Sequence, residues 1–277
     1  MLIGHFFTVL VLAASQSVAV EPPSLEQIWI AEGFADPEGA ALAPDGSYFI
    51  SNVAGGGSDK DGEGWISKLA ADGQVLEARW AEGLDAPKGM VVRDDVLYVT
   101  DIDRVRTYDV RTGASQRDYE IEGAQFLNDA TVWNGAVLVS DSRTGTIHHL
   151  GATGFDVWTQ DSDLLAGVNG LLGDGDRLLV TTMSAGLLLE YRADGSYRTI
   201  AAGMTDADGV GVVPGGYLVS GWRGDIFFVA DEGEVAQLLD SRADGVLQND
   251  LSVFGDQIIV PNWRPGTVTA WRLNGLD

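Results

Sequence analysis

Six times along the chain, a short apolar run, a tight turn and a second apolar run follow one another in the same order. The clear copies read PEGAALAPDGSYFISN from Pro37, NDATVWNGAVLVSDS from Asn128, NGLLGDGDRLLVTTM from Asn169, DGVGVVPGGYLVSGW from Asp208 and NDLSVFGDQIIVPNW from Asn249. A weaker copy, KGMVVRDDVLYVTDI, starts at Lys88. Helical periodicity is absent throughout, and the runs are of strand length. The turns, among them Asp45-Gly46, Asn134-Gly135 and Asp174-Gly175, use residues that reach positive φ cheaply, as two-residue hairpins require. Aligned on Glu38, Lys88, Asn128, Asn169, Asp208 and Asn249, the copies are 50, 40, 41, 39 and 41 residues apart. A period near forty with paired hairpins predicts a four-stranded propeller blade. Third and fourth strands are expected where residues 65–69 and 74–80 stand. The fold class read from the pattern is all-β, a six-bladed β-propeller. The sixth copy runs out after residues 266–273, short of an outer strand. The segment EQIWIAEG, residues 26–33, is like the fourth strands that end in WAEG and AAG. It is expected to pair into the last blade, so that an N-terminal strand closes the ring and removes an exposed edge.

The propeller therefore takes residues 20–277, and residues 1–19 read as a signal peptide. Residues 6–14 are an apolar run too short to span a bilayer. Ser17 and Ala19 place small residues at the −3 and −1 positions of a cut after residue 19. The segment before the apolar run carries His5 but no Lys or Arg, which departs from the usual pattern. The expectation is export, to the periplasm or the medium, with no membrane insertion once the signal is cleaved. The 277 residues are 45% hydrophobic and 21% charged, the composition of a globular chain. Their net charge of −24, from 17 basic and 41 acidic residues, excludes a nucleic-acid groove and disfavours anionic membranes. The absence of cysteine excludes disulfides and thiolate metal sites. A small-molecule substrate and a monomer are the partners and state expected.

Chemistry enters where the repeat breaks its own symmetry. The six aligned positions begin the innermost strands, so they form a ring around one end of the channel. A pure scaffold would repeat one residue type there, whereas this ring reads Glu38, Lys88, Asn128, Asn169, Asp208, Asn249. Carboxylate and amide oxygens are hard ligands, and calcium takes six to eight of them. Capping of strand ends explains one such residue better than it explains five on a single ring. The second strands of the hairpins end on the same rim and are expected to bring Asn52, Asp101, Asp141, Thr182, Trp222 and Asn262 towards the pocket. Lys88, Arg104 and Arg106 are the cations placed to meet an acidic substrate. The glycine-rich loop of residues 53–64 is expected on that rim as a cover.

The chain resembles the senescence marker protein, gluconolactonase and luciferin-regenerating enzyme family, and its relatives diisopropylfluorophosphatase and, more distantly, paraoxonase. The resemblance spans residues 34–273. It rests on Pro37-Glu38-Gly39, Leu127-Asn128-Asp129, Asn169-Gly170, and Asp208-Gly209 leading to Val219-Ser220-Gly221-Trp222. It implies that Glu38, Asn128, Asn169 and Asp208 hold a divalent cation, usually calcium, and that lactones or phosphoesters are hydrolysed at its open position. Asp208 would be both ligand and catalytic base or nucleophile, and Asp129 would orient the ligands. Blade six departs from the pattern by adding Asn249-Asp250, and blade two by placing Lys88 beside a cation. Trp222, Asn249, Lys88 and Arg104 are candidates for touching substrate. Two other functions share the fold. One is a non-catalytic binding propeller of the NHL-like kind, the other a metal-free enzyme resembling strictosidine synthase. Of the three histidines, His5 falls in the signal and His148-His149 in mid-strand, so neither a Ser-His-Asp arrangement nor a zinc triad is supported.

Overall fold

The computed structural model describes residues 22–275, so the signal-peptide reading of residues 1–19 lies outside the described residues. Six antiparallel sheets follow one another around an axis. Blades one to five are four-stranded meanders. Their innermost strands are Pro37–Leu42, Pro87–Arg93, Leu127–Trp133, Val168–Asp174 and Ala207–Val213. Among the described residues the one helical element is a short 3-10 turn, Arg242–Asp244. The alternation in the sequence explains the burial. In blade one the second strand, Tyr48–Asn52, is buried along its whole length. In blade two the fourth strand, Ser115–Glu120, is almost wholly exposed. The apolar core lies between blades. Phe49, Ile66 and Trp80 of blade one pack with Met90, Leu97 and Tyr108 of blade two, and similar clusters fill the other junctions.

Blade six closes the ring as the sequence led us to expect, with adjusted bounds. Ser24–Glu32 pairs antiparallel with Thr267–Asn274, from Ser24 opposite Asn274 to Glu32 opposite Thr267, with a register shift between Gln27 and Trp29. Ala31 packs there with Ala40, Tyr48 and Ile50 of blade one, and with Ile259 and Val268 of blade six. The innermost strand of this blade is interrupted. It consists of Leu247–Gln248 and Ser252–Phe254, with Asn249 and Asp250 in the gap.

One device recurs in blades one to five. Pairing of the innermost strand with the second shifts register at the aligned residue, between Pro37 and Ala40, Pro87 and Met90, Leu127 and Ala130, Val168 and Leu171, and Ala207 and Val210. Two residues thus face one, a bulge that turns the first of them out of the sheet. The opposing residue carries a hydroxyl in every case: Ser51, Thr100, Ser140, Thr181 or Ser220. Four of these accept the N–H of the second bulge residue, as Ser140 does from Asp129 at 2.9 Å and Thr181 from Gly170 at 2.8 Å. Three donate onward to the next blade: Thr100 to the carbonyl of Asn128 at 2.5 Å, Ser140 to that of Asn169 at 2.7 Å, and Thr181 to that of Asp208. The bulges of blades two to five are therefore wired to one another.

The second strands do not deliver all the side chains expected at the pocket. Asn52, Asp101, Asp141, Thr182 and Asn262 are fully buried inside the blades. Asn52 accepts from Ala35 N–H, Asp101 from Asp85 and Ala86, and Asp141 from Gln125 and Phe126. Each of these carbonyls or carboxylates holds the segment that leads into its own blade's innermost strand. They set the position of the ring without facing the channel.

Candidate functional site

Glu38, Lys88, Asn128, Asn169, Asp208 and Asn249 all line one cavity of about 340 Å³ at the mouth of the channel. All six are buried. The amide of Asn128 donates to Ser142 Oγ at 3.1 Å, and that of Asn249 to the Pro37 carbonyl at 3.4 Å. These bonds orient each amide and leave its oxygen without a donor. Glu38, Asn169 and Asp208 differ. As whole residues they are 7%, 3% and 2% exposed, and among the described residues their side chains form no hydrogen bond or ion pair with another protein group, while their polar atoms stay open to the cavity. Polar atoms that face a cavity with no protein partner are free to take a ligand or water.

Electrostatics sharpen this. Burial, and after it the charge of Asp208, holds the Glu38 carboxyl well above the usual carboxylate range. Burial, then Asp129 and Asp206, pushes Asp208 up to about 8. Both groups would become easier to ionise beside a cation. The donor set of two carboxylates and the amide oxygens of Asn128 and Asn169 fits a hard divalent ion such as calcium. No group of three or more Asp, Glu or His among the described residues forms a metal cluster, so the amides are needed to complete it.

Lys88 lies in the cavity wall, but its ammonium is already engaged. It donates to the carbonyls of Gly57 at 2.8 Å and Ala86 at 3.0 Å, and stands 4.3 Å from the Phe126 ring centroid. Burial pulls its pKa down to about 8, against the pull of Glu38 and Asp101. Lys88 so ties the glycine-rich loop to the rim, and Gly57 and Ser58 of that loop line the cavity. The acids of the loop serve the loop itself. Asp59 accepts from Gly56 N–H and Asp61 from Glu63 N–H.

Beneath the ring lies a second cavity of about 290 Å³, on the channel side, whose lining includes Asp129 and Asp250. The residue after the ring position is glycine in the other four blades because the next inner strand passes close by. A Cβ on Gly170 would stand 2.4 Å from the Asp208 carbonyl oxygen, and one on Gly89 the same distance from Asp129 Cα. Asp129 accepts the N–H groups of Leu171 at 2.6 Å and Ala130 at 2.7 Å, yet burial still pushes it up to about 7. Asp250 accepts from Leu251 at 2.7 Å and is raised well above the usual range by burial, then by Asp129, Asp208 and Glu38. Asp129 thus bridges blades three and four directly beneath Asn128 and Asn169.

Arg104 does not line the cavity. It pairs with Asp103 at 3.2 Å and Glu120 at 3.6 Å, and Arg106 pairs with Asp101 and Asp85. Sequence reasoning found Trp222 but missed the tier to which it belongs. A further set of residues comes from the ends of the second strands: Val53, Met183 and Trp222, each just past its strand, and Trp263, near the end of Gln257–Arg264, all line the cavity. Trp222 and Trp263 form a tilted ring pair 4.6 Å apart. One position further on, Arg143, Arg223 and Arg264 stand 5.2 to 5.9 Å from the ring centroids of Phe126, Trp222 and Trp263. The same forty-residue alignment that revealed the ring would have revealed both tiers, had it been extended along the second strand.

No protein-family model matches the chain, and no curated protein sequence does either. Solved structures do match. A gluconolactonase from Xanthomonas campestris is 14% identical, with a TM-score of 0.66 over 95% of this chain and 94% of that one. A catalytically inactive histidine-to-alanine variant of virginiamycin B lyase from Staphylococcus aureus, in complex with quinupristin, is 13% identical, with a TM-score of 0.63 over 91% of this chain and all of that one. A streptogramin B lyase is 12% identical, with a TM-score of 0.66 over 93% and 100%. At such identities the likeness establishes the propeller fold. It is compatible with both hydrolases and lyases.

Proposed function

We propose that the protein is an exported, calcium-dependent hydrolase of the gluconolactonase type, opening a lactone or phosphoester at the mouth of the propeller. One observation carries the reading: Glu38, Asn169 and Asp208, with no side-chain partner among the described residues, converge with Asn128 on one cavity to which their polar atoms are open. These four side chains would hold the ion. Calcium, or another divalent cation, would supply Lewis-acid polarisation of the carbonyl or phosphoryl oxygen. Asp208 takes a proton from the attacking water as its oxygen bonds to the reacting centre, and returns that proton to the leaving oxygen. Direct attack by its carboxylate is the alternative route. Burial alone raises Asp208 to about 8, and a bound cation would offset that rise and leave its carboxylate ionised to act as the base. Asp129 holds the inner strands of blades three and four together, and so sets the separation of Asn128 from Asn169.

The lyase neighbours suggest a second chemistry, but a histidine-to-alanine variant of one of those lyases is catalytically inactive. Among the described residues no histidine lines the cavity of this chain. His148 and His149 lie in the third strand of blade three, with His148 buried. The hydrolase reading is therefore preferred. A non-catalytic binding propeller would use the same mouth, and one experiment separates the two. The purified protein is titrated with calcium by calorimetry and incubated with a panel of lactones and phosphotriesters, with and without the ion. Calcium-dependent turnover is expected. A protein that binds no divalent cation at millimolar concentration would sink the catalytic reading and favour the binding propeller.

A further inference from the structure

We infer that the substrate of this site is a lactone or ester whose non-reacting part is apolar, and that the tier formed by Val53, Met183, Trp222 and Trp263, with Phe126, selects it against polyhydroxylated sugar lactones. The inference rests on the hydrolase reading for the reacting bond, and on the cavity walls for everything else. The polar groups of the cavity are concentrated on its floor, in the ring itself. Above that floor the walls are hydrocarbon, aromatic and thioether surface, and the one hydroxyl they offer is Ser58. Phe126, Met183, Trp222 and Trp263 are each only half-buried, so apolar surface faces the cavity instead of being covered by other side chains. The Trp222–Trp263 pair, with rings tilted 47° to each other, forms a cleft wall suited to a flat or extended hydrocarbon.

A sugar lactone placed with its carbonyl at the ring would press several hydroxyls against this wall. Beyond Ser58 and the indole N–H groups of Trp222 and Trp263 the wall offers few partners, so most of these hydroxyls would lose water uncompensated, which disfavours binding. An alkyl or aryl substituent in the same place would displace water from both surfaces and gain the full transfer term. The ammonium of Lys88 adds no site for sugar hydroxyls comparable to a polar wall, because two of its three donors are held by Gly57 and Ala86. The cavity, at about 340 Å³, has room for a ring and a short chain.

The test compares γ-lactones that differ only in an alkyl chain of increasing length with glucono-δ-lactone, all in saturating calcium. The expected result is a kcat/KM that rises about fourfold per methylene over the first few carbons, with glucono-δ-lactone slower than the unsubstituted lactone. Trp222→Ser and Trp263→Ser should flatten the dependence on chain length. A faster reaction with glucono-δ-lactone, or no dependence on chain length, would overturn the inference and leave the hydrolase reading intact. A binding arm separates the two claims. Calorimetric titration with 2-alkylcyclopentanones, which present a carbonyl but cannot be hydrolysed, should show affinity rising with chain length. If that holds while no lactone or ester is turned over, the apolar pocket stands and the hydrolase reading fails. If neither binding nor turnover responds to chain length, the apolar selection is wrong.

Discussion

Asp208 and Glu38 share a ring and a burial, but differ in what they are asked to do. Asp208→Asn keeps the size and one oxygen donor and removes the base, so kcat should fall at least about 100-fold while a weakened ion site survives. Glu38→Gln should act through metal affinity and be partly rescued by excess calcium. Turnover measured against calcium concentration distinguishes the two, and an Asp208→Asn variant with full turnover would falsify its assignment. The same residue links the site to stability. Its pKa of about 8 in the folded chain lies above the ordinary 3.8, so the metal-free fold prefers the protonated form. That contribution is fully present below the ordinary value and lost as pH rises through about 8. The metal-free melting temperature should therefore fall as pH is raised from about 4 to about 8, less steeply in Asp208→Asn. Saturating calcium, which favours ionised carboxylates, should flatten the fall. A pH profile identical in both proteins would show that Asp208 is not the group responsible.

The bulge in each inner strand is the element that makes a site out of a scaffold. Ser140 accepts from Asp129 N–H and donates to the Asn169 carbonyl, so it fixes two neighbouring bulges at once. Ser140→Ala leaves both groups unpaired in a buried position, at a cost of about 1–3 kcal/mol, and should weaken calcium binding. Ser140→Thr, which keeps the hydroxyl as blades two and four do with Thr100 and Thr181, should restore most of both. Chemical denaturation with calcium titration reads the two effects separately. The loop over the cavity depends in a similar way on Lys88. Lys88→Met keeps the length and removes the donors, leaving the carbonyls of Gly57 and Ala86 unbound. Hydrogen exchange should then accelerate across residues 56–63. Unchanged exchange there would mean that the Lys60–Asp103 ion pair and the Gly62–Asp85 hydrogen bond hold the loop alone.

Closure is a property of the whole ring. Ser24–Glu32 supplies the outer strand of blade six, and Ala31 joins the core between blades six and one. Deleting residues 22–33 strips that strand and opens an edge along Thr267–Asn274. The variant should lose several kcal/mol, roughly 10 °C in melting temperature, and self-associate through the open edge. Equal melting temperatures, by calorimetry on the two proteins, would mean that the ring does not depend on this strand.

Blade number, blade order, ring closure and the membership of the ring were all legible in the amino-acid sequence. Each follows from local information: strand alternation, turn residues, and a repeat that places equivalent residues at equivalent heights. The sequence also singled out Asp129 and Trp222. Other features were decided only by the tertiary structure, because they depend on which way a side chain turns at a strand end. Asn52, Asp101 and Asp141 occupy repeat positions as regular as those of the ring, yet they face backbone N–H groups inside their blades. Arg104 sits near the rim in sequence but finds Asp103 and Glu120 before it finds the cavity. Lys88 holds a loop that lies thirty-one residues earlier in the chain. Periodicity specifies the height of a residue in the propeller. Its orientation is set by bulges and by hydrogen bonds between blades, and those exist only once the ring has closed.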